Sequence, residues 1–117
     1  MIKLSFFLTR RSDLTHEQFT RYWLDRHAPL LEGLPEVQLN VRKYVQQDAL
    51  KGLPPSLPVA PFDGVAELWF DDMEALNATL AAGSYATLVA EDEEKFLDRS
   101  KTSILLSVAR HGVWQSK

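Results

Sequence analysis

The strongest constraint on the fold of this chain is an alternation of apolar and more polar residues that recurs in separate segments. From Ile2 to Thr9 the even positions are all apolar, whereas the odd positions hold lysine, serine, phenylalanine and threonine. This two-residue period is typical of a strand that presents one face to a core. The same pattern predicts a strand over 63–71 and another over 102–113, so the framework is expected to be a sheet.

Helical signals follow the first strand. Residues 15–18 have the sequence Thr-His-Glu-Gln, which predicts a capping box at a helix start. Pro29 disfavours helical geometry in the residue before it, so we expect this helix to end or kink near His27. The apolar stripe predicted for the helix contains Phe19, Tyr22, Trp23, Arg26 and Leu30.

The middle and end of the chain alternate between strands and helices. Residues 37–47 suit a second strand, and 52–61, with four prolines, predicts an extended loop. Helices are expected over 71–83 and 85–97, with Leu88, Val89 and Phe96 toward the core. Within the second of them, 91–95 is rich in charge and is predicted to be a solvated turn.

The order of these elements predicts one ferredoxin-like α+β domain spanning 1–117. It would hold a four-stranded antiparallel sheet with helices on one face. Ile104, Leu106 and Val108 are expected to meet the helices. The opposite face would then carry a mixed set: Ser5, Phe7, Val65, Glu67, Trp69, Leu105, Ser107 and His111. Such a face is too apolar for open water, so we expect a homodimer in which two sheets form an α+β barrel around a cavity.

Composition excludes several classes of function. Thirteen Lys and Arg against sixteen Asp and Glu give a net charge of -3, which does not suit a nucleic-acid binder. The absence of cysteine excludes disulfides, thiolate metal sites and a cysteine nucleophile. No ready-made metal spacing or phosphate loop is visible. No apolar run is long enough to span a membrane, and the start does not resemble a signal peptide, so a soluble cytoplasmic protein is expected.

Three segments together resemble a known family. They are Tyr-Trp-Leu-Asp-Arg-His-Ala-Pro-Leu at 22–30, Arg-Lys-Tyr-Val-Gln at 42–46 and Asp-Gly-Val-Ala-Glu-Leu-Trp-Phe-Asp at 63–71. In this order they are similar to the EthD-like family of the dimeric α+β barrel superfamily. The resemblance implies a small dimeric protein associated with oxidative catabolism or polyketide tailoring, with relatives that include lactone methylisomerases, anthrone decarboxylases and polyketide cyclases.

The resemblance also implies which side chains carry chemistry. His27 and Tyr44 match positions that isomerase relatives use as acid/base groups, and Glu67 matches an acidic position of the third strand. An imidazole suits proton transfer near neutral pH, and a phenol can stabilise an oxyanion. Each has an alternative role: a partner of the helix dipole for His27, packing for Tyr44, and an ion pair with Arg42 or Arg110 for Glu67. Leu68 stands where a relative has cysteine, which excludes thiol chemistry.

A ligand pocket is expected around these groups, and its predicted lining is Trp23, Trp69, Phe7, Ser5, Arg42 and His111. We expect acid/base chemistry without a cofactor or metal on a small cyclic or aromatic ligand: isomerisation, cyclisation, dehydration or decarboxylation. Two alternatives stay open at this point. One is a non-catalytic binding protein for an oxygenase system, and the other is a cofactor-independent or haem-linked monooxygenase.

Overall fold

A computed structural model of the chain describes residues 1–110, 112, 115 and 116. It confirms the antiparallel sheet with helices, in the strand order β2-β3-β1-β4. The strands are β1 (Ile2–Leu8), β2 (Val41–Asp48), β3 (Gly64–Phe70) and β4 (Ser103–Val108). His111 and Val113, which the sequence pattern assigns to the last strand, lie outside the described residues.

The helices are short and are joined by π-helical turns. In chain order they are α1 (His16–Tyr22), a π turn (Trp23–His27), α2 (Ala28–Glu32), α3 (Pro35–Asn40), α4 (Met73–Ala81), a second π turn (Tyr85–Val89), α5 (Ala90–Glu93) and a 3₁₀ turn (Arg99–Lys101). Among the described residues, no helix is both long enough and apolar enough to cross a membrane.

The first helix begins as predicted but continues further. Thr15 accepts a hydrogen bond from the Gln18 amide while the Gln18 side chain accepts from the Thr15 amide, which is a complete capping box. The helix changes near His27, where the π turn over Trp23–His27 gives way to α2, and the missing N–H of Pro29 falls in the first turn of α2. The buried stripe also differs from the prediction, since Leu31 is buried in place of Leu30 and Arg26 is exposed.

The core lies between the helices and one face of the sheet. On β3 the residues Ala66, Leu68 and Phe70 are buried, whereas the alternate residues are only half-buried. The buried set packs against Phe19 and Phe96 from the helical layer. The predicted face assignment of β1 and β3 is therefore correct. We call the other side of the sheet the open face, and none of the helices over residues 1–110 covers it.

Three predictions about individual segments are wrong. Residues 37–40 belong to α3 rather than to a strand, because Pro35 fits the first turn of a helix. Leu88 is exposed instead of facing the core. On β4 the side chains of Ile104, Leu106 and Val108 are 62%, 44% and 45% exposed, because β4 is the edge strand and the helices do not extend over it.

Strand β2 contains a bulge that sets the direction of its side chains. Val41 pairs with Phe70 and Lys43 pairs with Trp69, so Arg42 is the extra residue. A bulge of this kind changes the phase of the alternation that follows it. As a result Tyr44 pairs with Leu68 on the helix-facing side of the sheet.

Candidate functional site

A small cavity lies between the helical layer and the sheet, and we call it the His27 cavity. It has room of about 20 Å³, enough for one or two water molecules. The apolar lining includes Phe6, Leu8, Leu31, Leu68, Phe96 and the ring of Trp23. The ionisable side chains of the lining are His27, Tyr44, Tyr85 and Glu93. The cavity combines apolar walls with a few convergent polar groups, as ligand sites do, but it is far smaller than the ~300–1,000 Å³ of such sites.

His27 is held in one orientation by a buried carboxylate. It closes the π turn that follows α1, and only 6% of it is exposed. Its Nδ1 lies 2.8 Å from Oδ2 of Asp92 on α5. A carboxylate only accepts, so Nδ1 carries the proton and donates it to Asp92. This arrangement leaves the lone pair of the imidazole on Nε2.

Asp92 is also bound from its other side. The hydroxyl of Tyr22 donates to Oδ1 of Asp92 at 2.6 Å, and the Lys95 ammonium lies 3.9 Å from the same oxygen. The ring of Phe96 packs 4.9 Å from the imidazole of His27, measured between ring centroids. These contacts fix the His27 ring by packing as well as by hydrogen bonding.

The environment keeps His27 neutral. Burial lowers the pKa of its imidazole below the ordinary value, and the hydrogen bond and charge of Asp92 oppose that shift only in part. At neutral pH the side chain is therefore a neutral imidazole, with its single ring proton on Nδ1. Among the described residues, Nε2 has no hydrogen-bond partner. Every fully buried side-chain nitrogen or oxygen of those residues has a partner, so Nε2 is not fully buried. A neutral imidazole with a free Nε2 is suited to act as a general base.

Tyr44 contributes a phenol to the same cavity. Burial raises its pKa to about 12, against hydrogen bonds from Gln46 and Trp23 that lower it. The Gln46 side-chain amide donates to the Tyr44 hydroxyl at 2.8 Å and to the Trp23 carbonyl at 3.0 Å. Because Gln46 supplies the donor in that contact, the phenolic proton of Tyr44 can be donated to a ligand oxygen.

Two further ionisable groups in the cavity come from the segment that follows α4. Burial raises the pKa of Tyr85, so its phenol is neutral and can donate a hydrogen bond. Burial also raises the pKa of Glu93, although Arg99 opposes the shift. The sequence pattern assigned 91–95 to a solvated turn, and that prediction is wrong for Asp92 and Glu93.

Trp23 packs across the cavity wall against the start of β3. A Cβ atom added to Gly64 would lie 2.7 Å from Cζ3 of Trp23 and 3.1 Å from the Gln47 carbonyl oxygen. These distances are shorter than van der Waals contact, so only glycine admits the indole here. Trp23 is 1% exposed, and it lines the His27 cavity on the helical side of the sheet.

The other predicted site residues lie on the open face and do not reach the His27 cavity. Glu67 forms an ion pair with Lys3 at 2.7 Å. Trp69 has the ammonium groups of Lys3 and Lys43 at 5.4 and 4.8 Å from its ring. Ser5 is directly opposite Glu67 in the sheet. Alternate residues of a strand point to opposite faces, so the expectation of one cavity lined by both sets is wrong.

Phe7 and Arg42 are also remote from the cavity. Phe7 is on the open face, with its ring 5.4 Å from that of Phe62. Arg42 binds the exposed carboxylate of Asp71 at 2.9 Å, so Glu67 is not its partner. His111 lies outside the described residues.

His16, which the sequence pattern does not connect to any partner, is part of an ion cluster. Its Nδ1 lies 3.0 Å from Asp63 and its Nε2 lies 2.8 Å from Asp48. The hydrogen bond to Asp63 raises the pKa of the imidazole, against desolvation. The cluster joins the start of α1 to the two ends of the loop over 49–62, away from the His27 cavity. Among the described residues, no group of three or more His, Asp or Glu is arranged to bind a metal.

Asp92 and Glu93 are the site residues that sequence reasoning missed. Both lie in the run Glu-Asp-Glu-Glu at 91–94, and charged runs are ordinarily solvated. The available signal is the position of the run, which directly follows the apolar Val89 and Ala90 and places Asp92 four residues before Phe96. Helical periodicity can turn one acid of such a run inward.

Comparison with known proteins agrees with this architecture. The family model of the EthD domain matches residues 11–100. No curated protein is significantly similar in sequence.

Several solved structures share the fold. An ethyl tert-butyl ether D (EthD) family protein from Bacillus halodurans is 18% identical with a TM-score of 0.69, covering 93% of this chain and 98% of that one. A dimeric protein of unknown function with a ferredoxin-like fold from Bacteroides fragilis is 11% identical with a TM-score of 0.65, covering 91% and 93%. SnoaB, a cofactor-independent oxygenase from Streptomyces nogalater, is 13% identical with a TM-score of 0.65, covering 97% of both chains.

Proposed function

The chain belongs to the EthD domain family, and from this premise we propose that it removes a proton from a small, apolar, enolisable ligand bound in the His27 cavity. The observation that carries the proposal is the contact of 2.8 Å between Nδ1 of His27 and Asp92, which leaves Nε2 as a base. Tyr44 lines the same cavity and is the donor to the oxyanion that forms.

The step proceeds through an enolate. Nε2 of His27 takes a proton from the carbon next to a carbonyl group, and the electron pair of the broken C–H bond moves onto the carbonyl oxygen. The phenol of Tyr44 stabilises that oxygen by a hydrogen bond in an apolar site, where such bonds are stronger than in water. Asp92 stabilises the imidazolium that results. Isomerisation, cyclisation and dehydration can all proceed from this enolate, whereas decarboxylation forms an enolate by loss of CO₂ rather than of a proton.

The cavity limits which ligands are suitable. Its walls are mostly apolar, and its room of about 20 Å³ holds one or two waters. A ring-sized ligand therefore enters only when the lining side chains move apart. Neutral compounds are favoured over carboxylates or ammonium ions, because burial of an unpaired charge is costly.

The experiment measures deuterium exchange of 3-cyclohexen-1-one, a neutral six-membered ketone whose α-carbon lies between a carbonyl group and a double bond. Proton NMR in D₂O follows loss of the α-proton signal. We expect the chain to accelerate exchange above buffer and His27→Gln to lose about 100-fold or more of that acceleration. Leu24→Gln, at a helix position that is 59% exposed, is the control. Equal exchange by the chain and by His27→Gln would refute the proposal.

A second candidate function is oxygenation without a cofactor, which is supported by the fold that the chain shares with SnoaB. Both functions begin with the same deprotonation, since an electron-rich enolate or phenolate is the species that reacts with oxygen. Oxygen consumption measured with an electrode, using an anthrone as the probe, distinguishes the two. Consumption that depends on His27 favours oxygenation, and exchange without consumption favours acid/base chemistry alone.

We also propose that two copies of the chain associate through the open face. The open face carries Phe7, Val65 and Trp69 among polar groups, and the neighbouring strand β4 has Leu105 54% exposed. Exposed apolar residues rimmed by polar groups are typical of an interface, and a protein of the same fold is dimeric. Twofold symmetry would pair the face with itself.

Light scattering of the purified chain tests the association. We expect a mass of twice 13.3 kDa, and a shift toward the monomer in Leu105→Asp, because the interface would then bury a charge. Leu24→Asp is a matched control, since Leu24 is similarly exposed at 59% but lies on the helical side. A monomeric mass for the unchanged chain contradicts the dimer.

A further inference from the structure

The short helix α5 brings two consecutive carboxyl groups to the same site. Asp92 turns toward the Nδ1 side of His27, and Glu93, one residue later, lines the cavity itself. Successive residues of a helix differ by about 100° in direction, so the two acids leave α5 in different directions. Asp92 is accounted for as the partner of His27, whereas Glu93 has no role in the proton abstraction described above.

Glu93 connects the cavity with the protein surface. Its side chain is 21% exposed, and its Oε1 lies 4.0 Å from Nε of Arg99 in the 3₁₀ turn. The titratable or charged groups coupled to it are Tyr85, Asp92 on its own helix and Arg99 outside, and His27 and Tyr44 line the same cavity. It is therefore positioned to exchange protons with water on one side and with a bound ligand on the other.

The environments of Glu93 and His27 shift the pKa values of these two side chains in opposite directions. Burial raises the pKa of Glu93, while burial lowers the pKa of His27. Both groups are therefore stabilised in their neutral forms, one as an acid and the other as a base. Pairs of titratable groups separated in this way are typical of sites where one residue donates a proton and the other accepts one.

From this juxtaposition we infer that Glu93 is the proton donor of the His27 cavity and that the ligand class is a neutral cyclic ketone or lactone whose double bond is moved along the ring. This inference rests on the proposed function. His27 removes a proton from the α-carbon, and the electron pair is delocalised over the carbonyl group and the neighbouring double bond as a dienolate. Glu93 gives its proton to the γ-carbon, where a new C–H bond forms, and the double bond becomes conjugated with the carbonyl.

The proton balance then closes through water. After the step His27 carries the proton taken from the ligand, and Glu93 is ionised next to Arg99. His27 releases its proton to solvent, and Glu93 regains one on its exposed side. No oxidant or reductant is needed, because the ligand gains one proton and loses one. The proton found on the γ-carbon comes from solvent rather than from the ligand.

The same ketone, 3-cyclohexen-1-one, distinguishes the role of His27 as the base from that of Glu93 as the proton donor. In D₂O we expect 2-cyclohexen-1-one to form with deuterium at the γ-carbon, as measured by NMR, and its conjugated absorbance to report the rate. Glu93→Gln should slow formation of the conjugated product by about tenfold or more, while exchange at the α-carbon continues because His27 is intact. Glu94→Gln is the matched control: Glu94 is in the same run and lies 3.6 Å from Arg99, but its side chain is 70% exposed.

Each result has a defined meaning. An unchanged isomerisation rate in Glu93→Gln, or retention of the ligand proton at the γ-carbon, overturns the role of Glu93 and leaves the proposed function standing. Absence of α-exchange with the unchanged chain refutes the proposed function and the role of Glu93 with it. Carbon NMR of the glutamate carboxyl groups, recorded as a function of pH, is an independent readout. A titration midpoint for Glu93 equal to that of Glu94 also contradicts the inference. Matching melting temperatures of both variants exclude loss of folding as the cause.

Discussion

Replacement of Asp92 by asparagine tests the central contact of the site with little change in shape. The carboxylate accepts hydrogen bonds from His27 at 2.8 Å and from Tyr22 at 2.6 Å, and Asp92 is only 7% exposed. Asparagine can still accept from the Tyr22 hydroxyl through its oxygen. Its amide nitrogen, however, only donates, so it stabilises the His27 tautomer with the proton on Nε2.

The size of the effect follows from these two bonds. A hydrogen bond to a charged group contributes about 1.5–3 kcal/mol and a neutral one about 0.5–1.5 kcal/mol. Exchange of two charged bonds for two neutral ones therefore costs about 2–3 kcal/mol, and removal of a buried charge offsets part of that cost. We expect a net loss of about 1–2 kcal/mol in the free energy of unfolding, which corresponds to a melting temperature lower by roughly 4–12 °C for a domain of this size.

Two measurements check the prediction. Urea unfolding gives the change in stability, and proton–nitrogen NMR of the imidazole gives the tautomer of His27. We expect the proton to move from Nδ1 to Nε2 and the pKa of His27 to fall further, since the Asp92 hydrogen bond and charge raise it in the unchanged chain. Exchange of 3-cyclohexen-1-one should slow by about 100-fold or more, because the base then lacks its lone pair on Nε2.

Glu91→Gln serves as the control, because Glu91 is exposed in the same run. The reasoning is refuted if Asp92→Asn retains the Nδ1–H tautomer, or if its stability equals that of Glu91→Gln. A loss of stability without a change in tautomer would make Asp92 a purely structural residue.

The remaining predictions concern local packing and charge. Gly64→Ala should lower stability by about 1–3 kcal/mol, because the new methyl overlaps Trp23, and an unchanged melting temperature would contradict the contact. For His16, whose pKa is raised mainly by the hydrogen bond to Asp63, the contribution to stability is fully present below about pH 6.5 and is lost as pH rises through the folded-state pKa. Urea unfolding of His16→Gln should thus show its largest deficit on the acid side of that window, and a deficit that grows with pH would count against the ion cluster. Thr15→Ala should cost about 1 kcal/mol through loss of the cap, measured by thermal unfolding, with Thr15→Ser as the variant that retains it.

The sequence predicts the local elements of this protein well. The two-residue alternation in β1 and β3 and the capping box at Thr15 depend only on neighbouring residues, so they can be recognised in the sequence. The resemblance over 22–30, 42–46 and 63–71 identifies the family, which the match over 11–100 confirms. Pro29 marks the change of helix type at His27, although the chain remains helical after it.

The candidate site required the tertiary structure. The bulge at Arg42 turns Tyr44 toward the helices. An alternation pattern does not say which set of side chains faces the helices until pairing with the neighbouring strand fixes the register. Asp92 is buried because His27, 65 positions away in the chain, brings a hydrogen-bond donor to it. The sequence alone therefore determined the fold class and the two faces of the central strands. Only the folded chain decided which face holds the site, because burial of a charged group depends on partners that are distant in sequence.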